Sequence, residues 1–149
     1  METFFSDYTI NDERAKTDLD FAHRELSQSY WAKKIPFETV KCAADHSLCF
    51  NVFHHKQQVG YARVVTDKAT FAYLCDVIVT ESHRGKGIGK ALMAFIMQHP
   101  DLQGLRRFTL GTLDAHGLYK QFGFSSPRFP DRQMEIIRPG IYEDPEKYR

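Results

Sequence analysis

Two groups of residues in this sequence have types and spacings suited to chemistry. The denser is Arg84-Gly85-Lys86-Gly87-Ile88-Gly89-Lys90, glycines interleaved with cations between an apolar stretch and an amphipathic one. The first turn of a helix carries unpaired N–H groups and the positive end of the macrodipole. Glycine lets the backbone approach an anion without a Cβ in the way, and the cations add charge-assisted hydrogen bonds. A diphosphate suits such a segment. The second group is Asp76, a lone carboxylate inside the apolar run Tyr73-Leu74-Cys75 and Val77-Ile78-Val79. Burial there is costly unless the charge is paired, and Arg63 on the preceding stretch is the candidate partner.

Spacing narrows the first group. A Walker A loop needs four residues between its first glycine and Gly-Lys-Ser/Thr. Gly85 to Gly89 encloses three, and Ala91 stands where the hydroxyl would be. A GxGxxG dinucleotide pattern beginning at Gly85 and Gly87 would need glycine at Lys90. Arg84-x-x-Gly87-x-Gly89 remains, against the bland reading of a flexible turn with solvent-facing cations. Other clusters carry less. His54-His55 falls in a polar turn with no partner at metal-ligand spacing and is expected in solvent, so no metal is implied. His116 and Arg106-Arg107 read as surface residues. Cys42, Cys49 and Cys75 are too scattered for a disulfide framework and sit among apolar neighbours, as buried reduced thiols do.

The elements that must position these residues follow from periodicity. Tyr8–Ile10 reads as a first strand. A helix runs from Asp18, with Leu19, Ala22, His23 and Leu26 on one face, and a second from near Pro36 to Ala44. Ser47–Phe53 and Val59–Thr66 read as strands joined by a polar turn, and Thr70–Val79 as a strand buried on both faces. The stripe Ile88, Ala91, Leu92, Phe95 and Ile96 makes the helix after the glycine turn, closed by Pro100. Arg107–Leu110 is a strand, Ala115–Phe122 a short helix stopped by Gly123, and Gln133–Ile137 a last strand. Residues 139–149 form a charged, proline-containing tail without regular structure. The result is one mixed α/β domain spanning 1–149.

Composition sets the outer bounds. The 149 residues suffice for one domain with a real core. At 42% hydrophobic and 13% aromatic content a wholly disordered chain is excluded, and a net charge of +1 gives no global reason to expect nucleic acid or a membrane surface. Met1–Ile10 lacks a basic start followed by an apolar run, so no signal peptide is read. No stretch reaches the eighteen or so apolar residues that span a bilayer. These readings point to the cytoplasm.

Residues 79–92, Val-Thr-Glu-Ser-His-Arg-Gly-Lys-Gly-Ile-Gly-Lys-Ala-Leu, closely resemble the main acetyl-CoA motif of the GNAT family of N-acetyltransferases. Residues 114–124, Asp-Ala-His-Gly-Leu-Tyr-Lys-Gln-Phe-Gly-Phe, resemble that family's later motif. The element order is similar to the family fold from about residue 8 to residue 138. The resemblance implies a central, mostly antiparallel twisted sheet of about six to seven strands, splayed between the fourth and fifth, with about four flanking helices.

It further implies acetyl-CoA as acyl-donor cosubstrate, with no metal. The backbone of Val77, Ile78 and Val79 would pair with the pantetheine arm, and the amides of Arg84, Gly85, Lys86, Gly87, Ile88, Gly89 and Lys90 would hold the pyrophosphate. Tyr119 matches the tyrosine that protonates the departing thiolate. Many members carry asparagine seven residues earlier; here Thr112 stands there, which leaves a hydroxyl to contact the cofactor. Asp76 is expected to act in catalysis, attracting the cationic amine and helping to remove its proton, or orienting the amine while ordered water takes the proton. It is similar in position to the substrate-binding carboxylate of polyamine and thialysine acetyltransferases, but Cys75 replaces their preceding acid, so that specificity does not transfer. Tyr30, Trp31, Phe71 and Tyr73 are expected to line the acceptor pocket, where aromatic faces suit a cationic amine. The expected activity is acetyl transfer to a primary amine of a small molecule or protein. A non-catalytic CoA-sensing module is the alternative, and a homodimer is left open.

Overall fold

The computed structural model describes all residues, Met1–Arg149. Six strands form one sheet in the order of the chain: β1 (Glu2–Phe5), β2 (Tyr8–Asn11), β3 (Leu48–His54), β4 (Gln57–Thr66), β5 (Phe71–Val79) and β6 (Arg107–Leu110). All neighbours are antiparallel except β5 and β6, which run parallel. Helices α1 (Leu19–Ser27) and α2 (Phe37–Asp45) connect β2 to β3; α3 (Ile88–Met97) connects β5 to β6, and α4 (His116–Lys120) follows β6. The splayed pair expected from the family resemblance is therefore β5 and β6 here, because an N-terminal strand precedes the first one read from the sequence.

Local signals account for most boundaries. Asp18 caps α1, its carboxylate accepting the Phe21 amide at 3.1 Å. Pro36 stands at the N-cap of α2, where its missing N–H costs nothing. Gly87 takes φ +83 at the start of α3, a left-handed value that a β-carbon would oppose.

Hydrophobic burial packs the two faces of the sheet separately. One cluster joins Ile10, Phe50, Val52, Val64 and Leu74 to Ile88, Leu92, Met93 and Ile96 of α3. The other sets Phe21, Ala22 and Leu26 of α1 and Val40 and Ala44 of α2 against Cys49, Tyr61 and Ile78. Each large aliphatic chain buried this way contributes about 1.5–3 kcal/mol.

A buried polar network ties the α1 side to the sheet. Asn51, fully buried, accepts from Thr17 Oγ1 at 2.9 Å and Gln58 Nε2 at 3.1 Å, and its amide donates to Asn11 Oδ1 and the Glu13 carbonyl, both at 3.1 Å. Gln58 in turn accepts the Asp18 amide at 2.7 Å, so the network fixes the point at which α1 begins.

Four expectations need correction, the first being that all three thiols are buried: Cys42 is exposed on α2. β5 is not buried on both faces: Phe71 and Tyr73 are exposed, since no helix covers that face near its start. Residues 133–137 form no strand, and Met134, Ile136 and Ile137 are exposed, because this stretch gains no ladder partner. β1 escaped notice because its burial pattern is almost wholly exposed, leaving no alternation to read. The tail is irregular apart from short turns, as expected.

Replacing Asn51 with Ala removes four hydrogen bonds from a buried site and leaves the Thr17 hydroxyl without its partner, while Gln58 keeps Gly60 and Asp18 and Asn11 keeps the Glu13 amide. Urea denaturation of Asn51→Ala is expected to show a loss of about 2–4 kcal/mol, read as a lower midpoint at unchanged slope.

Candidate functional site

The site is built around an irregularity in β5. Tyr61 pairs with Ile78 and Arg63 with Cys75, so Ala62 alone faces both Asp76 and Val77. This is a β-bulge, which bends the strand and raises its twist. Asp76 sits at φ +54, a left-handed value that aspartate tolerates better than most residues. β6 pairs with β5 only through Phe71–Leu74. Beyond the bulge, residues 75–79 leave β6, and the two strands form a fork.

A cavity of about 210 Å³ occupies the fork. Its walls are Leu74 to Val77 on one prong, Leu110, Gly111 and Thr112 on the other, and Ala115 and Tyr119 from the α4 region, with Tyr30 and Trp31 above. A second cavity of about 320 Å³ shares Trp31, Tyr73, Cys75 and Asp76 with it and extends under α1 and α2 to Thr39, Val40 and Tyr61.

Asp76 uses both carboxylate oxygens. Oδ2 accepts from Arg63 Nε at 2.9 Å, and Oδ1 accepts from Trp31 Nε1 at 3.0 Å. Arg63 also donates to Ser47 Oγ at 3.0 Å. Although burial alone would lower it, the Arg63 pKa is raised, with the adjoining Asp76 carboxylate the largest opposing influence. The anticipated partner is thus in place, and the pair shares a wall of the second cavity.

Tyr119 is 8% exposed, and burial pushes its phenol above the ordinary tyrosine range. It is the one residue of α4 buried, and it lines the fork. Thr112 lies nearby, where its hydroxyl accepts the Ala115 amide at 3.0 Å and so steadies the approach to α4. The Cys75 thiol is pushed up to about 12 by burial.

The glycine turn lies at the end of the departing prong. Gly85 and Gly87 both have left-handed φ, +75 and +83. The amides of residues 85–90 make no hydrogen bond to a backbone carbonyl, so up to six N–H groups are available to one anion. Ile88 contributes only its amide, since its side chain is buried in the core. Arg84 folds back: its Nε donates to the Val79 carbonyl at 2.9 Å and fastens the turn to the strand. Lys86 and Lys90 are exposed.

The fork therefore gathers Asp76, Val77, Thr112, Tyr119, Tyr30, Trp31 and Tyr73 from four separate stretches of chain. Phe71 is not among them: it lies at the other end of β5, opposite Arg107, and lines none of these cavities. Tyr142 was missed. It lines the second cavity, and Glu143 beside it pairs with Lys33 at 3.2 Å. Its stretch of tail has no periodicity, so no signal in the sequence marks it.

The profile of the acetyltransferase (GNAT) family matches residues 10–124. A solved structure from Xanthomonas campestris, assigned to that family, is 51% identical, covering 93% of this chain and 99% of its own at a TM-score of 0.90. A Gibberella zeae protein named as an acetyltransferase is 29% identical over 146 residues, covering 82% of this chain and 81% of that protein. Glucosamine-6-phosphate N-acetyltransferase from Arabidopsis thaliana shares the fold, with a TM-score of 0.60 at 18% identity over 88% of this chain and 97% of its own. The family profile spans most of the chain and the fold agrees with these similarities, so this chain belongs to the GNAT acetyltransferase family.

Proposed function

We propose that the protein is an acetyl-CoA-dependent N-acetyltransferase acting on a primary amine by direct attack. The observation that carries this reading is the convergence on one fork of unpaired strand backbone, an anion-binding glycine turn and a buried, protonated tyrosine. The turn holds the pyrophosphate, and residues 77–79 offer main-chain groups to the pantetheine arm. The thioester then lies in the fork, within reach of a strand N–H near Ile78 that polarises its carbonyl oxygen.

The amine enters from the cavity beneath α1 and α2, where Trp31, Tyr73 and Tyr142 present aromatic faces to a cation. An alkylamine at neutral pH must first lose a proton, at about 4–5 kcal/mol. Asp76 is a poor acceptor for it, because protonation would break its ion pair with Arg63. Its role in this reading is to orient the amine through the Trp31–Asp76–Arg63 wall, while water carries the proton away. Attack of the neutral nitrogen on the carbonyl carbon expels CoA thiolate, Tyr119 donates its proton to that sulfur, and the proton released by the acylated nitrogen returns through water to the phenolate. Cys75 takes no covalent part, since a thiol titrating near 12 is not a nucleophile at neutral pH.

Four outcomes are expected. Acetyl-CoA at a hundredfold excess over its Kd should raise Tm by about 5–10 °C, and ATP should not; no shift with acetyl-CoA would sink the reading. In a thiol-release assay across a panel of amines, Tyr119→Phe should lower kcat by about 100-fold or more with acetyl-CoA affinity unchanged. Asp76→Asn should cut turnover while sparing acetyl-CoA binding; full turnover would remove Asp76 from the mechanism. Cys75→Ala should retain activity, and a trapped acyl-cysteine in the parent protein would overturn direct transfer. Binding of acetyl-CoA without thiol release from any amine would favour a sensing module instead.

A further inference from the structure

The two hairpin turns at one end of the sheet meet beside the glycine turn. Asp7 lies in the β1–β2 turn, His54 ends β3 opposite Tyr8, and His55 opens the β3–β4 turn. Asp7 Oδ2 is 2.7 Å from His54 Nε2, and the His54 and His55 rings are 4.3 Å apart. One ligand atom from each of the three lies within 4.8 Å of the others. A third imidazole adjoins them: the His83 ring is 5.1 Å from that of His54. Its Nδ1 is 2.8 Å from the Tyr8 hydroxyl, which fixes the ring and leaves Nε2 for another partner.

We propose that Asp7, His54 and His55 form a transition-metal site, with His83 as the fourth ligand, and that the bound ion braces the glycine turn. The donor set decides the class of ion. Imidazole nitrogens with one carboxylate suit zinc, nickel, cobalt or copper, whereas calcium and magnesium take oxygen ligands. Donors on one tetrahedral zinc lie about 3.3 Å apart, so Asp7 and His54, at 2.7 Å, part slightly while His55, within 4.8 Å of both, and His83 draw in. Asp7 and His55 are exposed and free to make that movement.

The same hairpin touches the glycine turn at two points. The Phe5 ring lies 3.2 Å from where a β-carbon on Gly87 would stand, and Tyr8 is bonded to His83, the residue before Arg84. An ion that ties Asp7 to the β3–β4 turn and to His83 therefore restrains the segment that holds the pyrophosphate. The bracing half of the proposal rests on the acetyl-CoA reading; the metal site does not.

The test uses the untagged, full-length chain stripped with chelator. Calorimetric titration with zinc and with nickel is expected to show one ion per chain at micromolar affinity or tighter, and anything weaker overturns the site. Asp7→Asn and His55→Asn should each weaken binding at least tenfold. Asparagine tolerates the left-handed backbone at His55, φ +55, so both variants should match the parent in circular dichroism and Tm under chelator. Affinity that survives both substitutions overturns the assignment. If Cys42→Ser then abolishes it, the ion belongs to the Cys42–His46 pair on α2, 3.9 Å apart. Acetyl-CoA affinity, measured first without ion, should tighten several-fold with it; an unchanged value overturns the bracing role and leaves the cofactor reading intact.

Discussion

The site depends on the extra residue in β5. Without the bulge at Asp76, β5 would continue beside β6 and the backbone of residues 75–79 would be spent on a sheet ladder. With it, the strand turns away, a cavity opens between the prongs, and main-chain groups become free to bind a ligand. A left-handed aspartate inside a strand is a strained choice that persists only when its surroundings hold it. Here they do: Arg63 and Trp31 occupy both carboxylate oxygens. One side chain thus shapes the fork and also forms a wall of the pocket beside it.

The rest of the molecule holds the two prongs in relation to that bend. α3 packs Ile88, Leu92 and Ile96 against the sheet, which fixes the helix N-terminus and its free amides at the end of the departing strand. α4 is only five residues long, too short to be stable alone, and is held by Tyr119 in the core and by Thr112 at its approach. On the other face, the Asn51 network sets where α1 starts, and so where Tyr30 and Trp31 come down over Asp76. The fork and the cavity beneath α1 and α2 therefore meet at one strand but rest on separate cores. Family membership accounts for the fold.

Much of this was legible before any coordinates. Asp18 and Pro36 marked two helix starts, and the Ile88–Ile96 stripe marked the third. The glycine spacing excluded two kinds of nucleotide loop, and Arg63 was already the candidate partner of Asp76. Phe71 was misassigned because an aromatic on the right strand says nothing about how far along it lies from the fork. His54-His55 read as an isolated pair, since Asp7 and His83, 47 and 29 residues away, join it only through strand register and the turn after β5.

By itself the sequence determined the local chemistry: which segments are helix or strand, where an anion can bind, and which side chains can donate a proton. Those properties are set by neighbours within about one turn or one strand, through periodicity, capping and glycine freedom. Only the tertiary structure decided that Asp76 is hydrogen-bonded through both oxygens, that Arg84 is turned back onto Val79, and that Tyr142 from the irregular tail lines the cavity beneath α1 and α2. Each of those outcomes depends on contacts between residues far apart in the chain, for which no local pattern exists. The aspartate that reads as a lone charge in an apolar run proves to be the bend on which the fork is built, because its partners arrive from β4 and from the segment after α1.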